Sequence, residues 1–317
     1  MSNEKRASQM SKLSQLIRKN GRRRNLGTHS PTWFEARRPL SPTVGTAAEL
    51  YRQPAQVEAV DSRFSPLLKE LATLETIERD KFVLPAPCDR EGYFGDNHFA
   101  YWLSGLADLR MVQRLVPHAS FANVLDFGGA TGRFARQVAL ANPTETVTIA
   151  DLNVNHVEWV EQHFDRSVRA VKVSPYPHFP LADGSVTLCV GLSVFTHIDS
   201  YESGWLAEIR RVLADGGYAL LTIHSEQTWP VLPSRPDFFR TLQKIPAFSK
   251  AFRLGEPMPR GRAVYEWNPN SIEHNCHVFM DSDYVRRRWS RWFEVVEIAH
   301  RAHHDFQAAV VLRKTTG

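Results

Sequence analysis

The sequence predicts an α/β fold: a mostly parallel sheet with helices on both faces. Short branched, apolar runs recur at about Asn123–Phe127, Thr146–Ala150, Arg169–Val173, Val186–Val190 and Tyr218–Ile223. Helical patterns at Arg133–Ala141, Asn155–His163 and Tyr201–Leu213 lie between most of them. That alternation buries strands on both faces and points to parallel pairing. A further helix at about Ser282–Trp292 and two strand patterns, "FEVVEIA" and "FQAAVVLR", close the chain.

The elements before this core divide into two parts. Residues 1 to 30 hold eight Lys and Arg against the single acid Glu4, a local balance of +7 that leaves the remainder near −2. This arm is expected to be disordered, with a transient helix over 12–19 and an acidic partner as its candidate contact. Residues 31–97 read as a helical and loop extension punctuated by Pro and Gly, with a helix around Pro66–Arg79. An aromatic loop, "GYFGDNHFAYW", then leads into an amphipathic helix at His98–Leu115, where the main domain begins.

Bulk properties narrow the class. The 317 residues are enough for a substantial core, and no run reaches the eighteen apolar residues of a membrane span. The N-terminal stretch lacks the apolar core of a secretory signal, so a cytoplasmic location without membrane insertion is expected. Cys88, Cys189 and Cys276 are far apart with no paired CxxC spacing, which disfavours a disulfide framework or a four-cysteine zinc site.

The stretch "NVLDFGGATGRFARQ" carries the chemistry. A strand delivers Asp126, Gly128, Gly129 and Gly132 to the C-terminal edge of the sheet. Glycines there allow a tight bend, and the next helix presents unpaired N–H groups. Asp151 ends the following strand, twenty-three residues beyond Gly128. A carboxylate there suits both hydroxyls of an adenosine ribose, although an acid capping the next helix is the plain alternative. This opening makes the fold Rossmann-like. Asp126 separates the cofactors: beside the bend it would oppose a pyrophosphate but suit an ammonium group, favouring S-adenosyl-L-methionine over NAD.

With those residues in view, the chain resembles the class I S-adenosylmethionine-dependent methyltransferases, in particular the small-molecule group. The family's acid-x-Gly-x-Gly-x-Gly pattern reads here as Asp126, Phe127, Gly128, Gly129, Ala130, Thr131 and Gly132, with Ala130 in place of the middle glycine. The stretch "FPLADGSVTLCVGLSVFTHIDSYESGWLAEIRRVLADGGYALLTI" resembles that family's fourth strand, its following loop and helix, and the turn into the fifth strand. The resemblance implies a closing antiparallel hairpin, a methyltransferase domain over residues 98–317, and cofactor contacts from Asp126, Gly128, Gly129, Ala130, Gly132 and Asp151. The family often has an acid or amide near the adenine after the third strand; here Ser174 is nearest.

Methyl transfer to an alcohol benefits from a base. His197, just beyond the fourth strand, and His224, after the fifth, are the catalytic candidates. Residues 225–280, rich in Pro, Phe, Trp and Arg, exceed a minimal connection and are expected to form an inserted substrate cap. Within it Tyr265, Trp267, His274 and His277 suggest a pocket wall, and Arg260 and Arg262 suit an anionic group. His274 and His277, flanked by Glu273 and Cys276, lack a convincing third ligand, so no metal is expected. Tyr93, Phe94 and Trp102 are candidate lid residues, and Gln307 is either a pocket group or an edge hydrogen bonder.

The reading is a methyltransferase acting on oxygen or nitrogen of a small-molecule acceptor, with a sugar or natural-product scaffold as the narrower expectation. An NAD-dependent oxidoreductase and a non-catalytic binding module are the alternatives. Nucleic acid is disfavoured because "GLSVFT" stands where an "NPPY"-type signature would follow the fourth strand.

Overall fold

In the computed structural model, residues 32–267 and 276–316 are described. The basic arm with its 12–19 helix, Glu273 and His274 lie outside them. The first strands are β1 (Asn123–Phe127), β2 (Thr146–Asp151), β3 (Val168–Lys172), β4 (Val186–Gly191) and β5 (Leu213–Ile223). They are followed by β6 (Arg262–Glu266), β7 (Cys276–Met280), β8 (Glu294–His303) and β9 (Gln307–Arg313). Seven of these form one sheet in the order β3-β2-β1-β4-β5-β9-β8. β1 to β5 pair in parallel, and β9 pairs antiparallel with both β5 and β8. The parallel sheet and the closing antiparallel hairpin are therefore as expected.

The helices are α1 (Ala47–Tyr51), α2 (Pro54–Glu58), α3 (Leu71–Arg79), α4 (His98–Leu115), α5 (Arg133–Ala141), α6 (Val154–His163), α7 (Glu202–Val212), α8 (Pro236–Gln243), α9 (Pro246–Ala251) and α10 (Ser282–Trp289). Strand alternation explains their placement on two faces. Leu125 and Phe127 of β1, with Ala219 and Leu221 of β5, pack under Trp205 and Ile209 of α7 and Trp289 of α10. Val124 and Leu220 point the other way, against Val112 of α4, Phe134 and Val138 of α5 and Trp159 of α6. Every residue of β9 except Arg313 is buried, as a central strand requires.

Helix starts follow from capping chemistry. The Asn97 side chain accepts from the Ala100 N–H at 2.8 Å ahead of α4, and Asp281 accepts from Tyr284 N–H at 2.7 Å ahead of α10. The helix expected at Pro66–Arg79 is divided. A 3₁₀ turn spans Ser65–Lys69, then Glu70 turns extended (φ −85, ψ 127) before α3 begins. Apolar periodicity does not report such a one-residue break. Residues 214–217 form a register shift between β4 and β5, with Gly216 at φ +77, where the family turn was read.

The 225–280 insertion has its own core. Trp229, Leu232, Leu242, Ile245, Phe248, Met258, Tyr265 and Phe279 bury one another, and β6 and β7 form a separate two-stranded ribbon. The extension from Trp33 onward belongs to the same compact unit as the sheet.

Candidate functional site

A cavity of about 820 Å³ opens at the C-terminal ends of β1, β2 and β4. Asp126, Gly128, Gly129, Ala130, Asp151, Ser174 and His197 all line it. A bend, two strand ends and a loop are brought together there because parallel strands all deliver their C-terminal loops to one edge.

The bend is tightly built. Gly128 has φ +70 and donates to the Ala150 carbonyl at 2.7 Å. A Cβ on Gly129 would lie 2.5 Å from Asp126 Oδ2, so the carboxylate occupies the space a side chain would take. Ala130 holds φ +47 and donates its N–H to Asp151 Oδ2 at 2.9 Å. Gly132 does not line the cavity: at φ +81 it caps α5, and a Cβ there would meet Phe164 and Ile149. Gly132 is thus placed where the chain enters the helix, one step beyond the residues that line the cavity.

The two acids differ. Asp126 is 2 % exposed, and Oδ2 has no hydrogen-bond partner among the described residues. Burial raises its pKa to about 7, against the pull of Arg133. Asp151 Oδ1 accepts from Asn153 N–H at 2.8 Å and lies 3.2 Å from His156 Nδ1. Burial opposes the charged His156 ring, but Asp151 and then Glu91 prevail and raise its pKa. Glu91 Oε1 is 3.6 Å from His156 Nε2.

His197 presents an imidazole to the cavity. Its Nδ1 lies 2.7 Å from the Cys276 carbonyl oxygen, which can only accept, so Nδ1 carries the proton and Nε2 keeps a lone pair. The ring is water-accessible from the cavity yet enclosed elsewhere by protein, and burial lowers its pKa. His224 is placed differently. It is buried outside the cavity lining, stacked on Phe279 at 4.9 Å and flanked by Phe238 and Phe306. Burial, then His277 and His197, push its pKa well below the usual value. Its ring faces the aromatic core of the insertion, apart from the cavity that His197 lines.

The insertion expected as a substrate cap packs largely on itself. None of its described residues lines the cavity, since its aromatic side chains are spent on one another. Arg262 is held by Glu202 at 2.9 Å and by the carbonyls of Ile198 and Asp199. His277 buttresses His197 from behind, with ring centroids 5.3 Å apart. Ser174 lines the cavity while its Oγ accepts from Tyr176 N–H at 3.2 Å.

The wall comes instead from the extension. Phe34, Arg38, Arg90, Glu91 and Tyr93 line the cavity. Of the candidate lid residues only Tyr93 does so. Trp102 is buried with its N–H on Asp80 Oδ2 at 2.7 Å, and Phe94 packs on Phe64 and Tyr101. Sequence reasoning missed Arg38 because its backbone N–H reaches Asn155 across 117 residues. His156, five residues after Asp151 in the next helix, left a readable signal.

A parallel sheet closed by an antiparallel hairpin, with acids at the ends of β1 and β2 around a glycine bend, defines a class I S-adenosylmethionine-dependent methyltransferase domain. Residues 125–221 match the family model described as a methyltransferase domain. The chain is 30% identical over 126 residues to a malonyl-[acyl-carrier protein] O-methyltransferase of Geobacter sulfurreducens. That match covers 39% of this chain and 46% of the relative, so it spans less than half of the relative's length. Among solved structures, a SAM-dependent methyltransferase from Aquifex aeolicus is 15% identical with a TM-score of 0.43, covering 66% of this chain and 90% of that one. One from Methanosarcina mazei is 17% identical with a TM-score of 0.41, covering 62% and 93%.

Proposed function

We propose that the protein transfers a methyl group from S-adenosyl-L-methionine to a hydroxyl oxygen of a small-molecule acceptor. The carrying observation is His197, a neutral imidazole whose tautomer leaves Nε2 free at the cavity. A neutral hydroxyl needs its proton removed as it attacks, and a lone pair on an imidazole facing the cavity supplies that. An acceptor nitrogen that is already unprotonated would leave His197 idle. The relative's name specifies an O-methyltransferase, which also supports oxygen.

The residues fit the cofactor. Asp126, raised to about 7 by burial and with one oxygen unpartnered, is stabilised as a carboxylate by an ammonium group. Asp151 retains a lone pair on Oδ2 for a ribose hydroxyl, and Ser174 stands at the adenine side. The cofactor supplies a methyl on a sulfonium, activated for in-line displacement. His197 Nε2 would take the proton that the acceptor hydroxyl gives up as it is methylated. Tyr93 and the other extension residues shield this exchange from water.

The same unpartnered Asp126 opposes NAD, whose pyrophosphate would face a buried carboxylate. The narrower sugar reading loses support, because it rested on an insertion that would face the acceptor.

Parallel calorimetric titrations with S-adenosylhomocysteine and NADH test the cofactor. Saturable binding of the first alone is expected; binding of NADH alone overturns the reading. Transfer of labelled methyl to a panel of hydroxylated metabolites then tests the reaction, and binding without turnover across a broad panel would favour the non-catalytic module.

A further inference from the structure

Behind Arg133, which lines the cavity, three side chains from distant parts of the chain converge. Asp108 is on α4, His303 closes β8, and His304 follows in the turn to β9. His303 Nε2 lies 3.2 Å and His304 Nε2 3.0 Å from the same oxygen, Asp108 Oδ1. Neither approach has hydrogen-bond geometry: all three atoms are buried without a hydrogen-bond partner. Buried polar atoms ordinarily find partners, so three orphans facing one point require something between them.

The surrounding groups say what kind of occupant fits. His303 Nδ1 is 3.2 Å from Gln307 Oε1, an oxygen that also accepts from Thr222 Oγ1 at 2.7 Å and Ser193 Oγ at 3.1 Å. A carbonyl there places the His303 proton on Nδ1 and aims the Nε2 lone pair at the carboxylate, the tautomer of a metal-bound imidazole held by its outer hydrogen bond. Arg133 takes Oδ2 at 2.9 Å and leaves Oδ1 inward.

The geometry points to a divalent transition-metal site, suited to zinc, formed by Asp108 Oδ1, His303 Nε2 and His304 Nε2. These three atoms lie within 4.8 Å of one another. Zinc bonds of about 2.0–2.1 Å in a tetrahedron put neighbouring ligand atoms roughly 3.3 Å apart, close to the two separations observed. A mixed imidazole and carboxylate set matches zinc among the common divalent ions. The two rings stack at 4.1 Å and 25°, so they splay as the ion enters, and solvent supplies the fourth ligand on the partly exposed side of His304. The ion ties the β8–β9 turn to α4 and fixes Asp108 under Arg133. The neighbouring guanidinium lowers affinity without taking a ligand position.

The test uses the tag-free full chain, stripped with a chelator and titrated with zinc alone. One ion per chain is expected, with a rise in thermal midpoint, and affinity weakened at least about 100-fold in a His303→Gln, His304→Gln double variant. S-adenosylhomocysteine binding checks that the variant is folded. Cobalt loaded into the wild type should show four-coordinate visible bands without a thiolate charge-transfer band, a readout that stands if the variant does not fold. No stoichiometric zinc, equal binding by the double variant, or a thiolate band implicating Cys276 would overturn the site and leave a triad joined by shared protons.

Discussion

The Ala130 N–H donates to Asp151 Oδ2 at 2.9 Å, joining the glycine bend after β1 to the acid that ends β2. Asp151 therefore shapes the loop as well as lining the cavity. Loss of that side chain would disturb two contacts at once.

Ala130 bears the cost of this arrangement at φ +47, a region that disfavours any side chain by about 1–2 kcal/mol. Ala130→Gly should relieve the strain, offset in part by the greater freedom of glycine in the unfolded chain. A net stabilisation of about 0.5–1 kcal/mol and a rise in thermal midpoint of about 1–3 °C are expected. An unchanged or lower midpoint in a calorimetric scan would show that the bend does not hold this conformation.

Cofactor binding should depend on pH through Asp126. Its pKa is raised to about 7, so below that value the free protein holds a proton that an ammonium ligand must displace. Affinity for S-adenosylhomocysteine should be level above pH 7 and fall by up to about 10-fold per unit below it. Asp126→Asn should weaken binding and flatten the profile. Calorimetry from pH 5.5 to 8.5 (about three units, spanning that pKa) reads both effects.

His197→Gln should lower kcat by roughly 10²–10⁴-fold and leave S-adenosylhomocysteine affinity within a factor of about three. In the wild type the rate requires neutral His197, so it should fall as pH drops through a pKa below the ordinary histidine value. An equal loss of cofactor affinity would recast His197 as a binding or packing group.

His224→Phe should retain turnover, since the ring lies in the aromatic cluster with Phe238, Phe279 and Phe306. His224→Ala should instead lower stability by about 2–4 kcal/mol through the cavity it leaves. Denaturant melts separate these cases, and a large kcat loss in the Phe variant would assign His224 a catalytic role.

The glycine bend, Asp126, Asp151 and the strands around them were legible because each is a local pattern: short branched, apolar runs, punctuated at the sheet edge by glycine and acid. His197 was legible for the same reason, standing directly after β4. The contacts within the 225–280 insertion were not legible, because its aromatic and basic residues look alike whether they face a ligand or one another. Its rings chose one another, and Arg262 was taken by Glu202.

Local sequence thus specified the strand order's raw material, the helix starts and the cofactor edge, since propensity and capping act over a few residues. Contacts spanning 79 residues or more settled the rest: Arg38 on Asn155, His197 on the Cys276 carbonyl, and His303 and His304 on Asp108. Such contacts depend on which elements the packed sheet makes neighbours. No period or spacing along the chain encodes that adjacency, because it arises only when buried surfaces compete for the same partners.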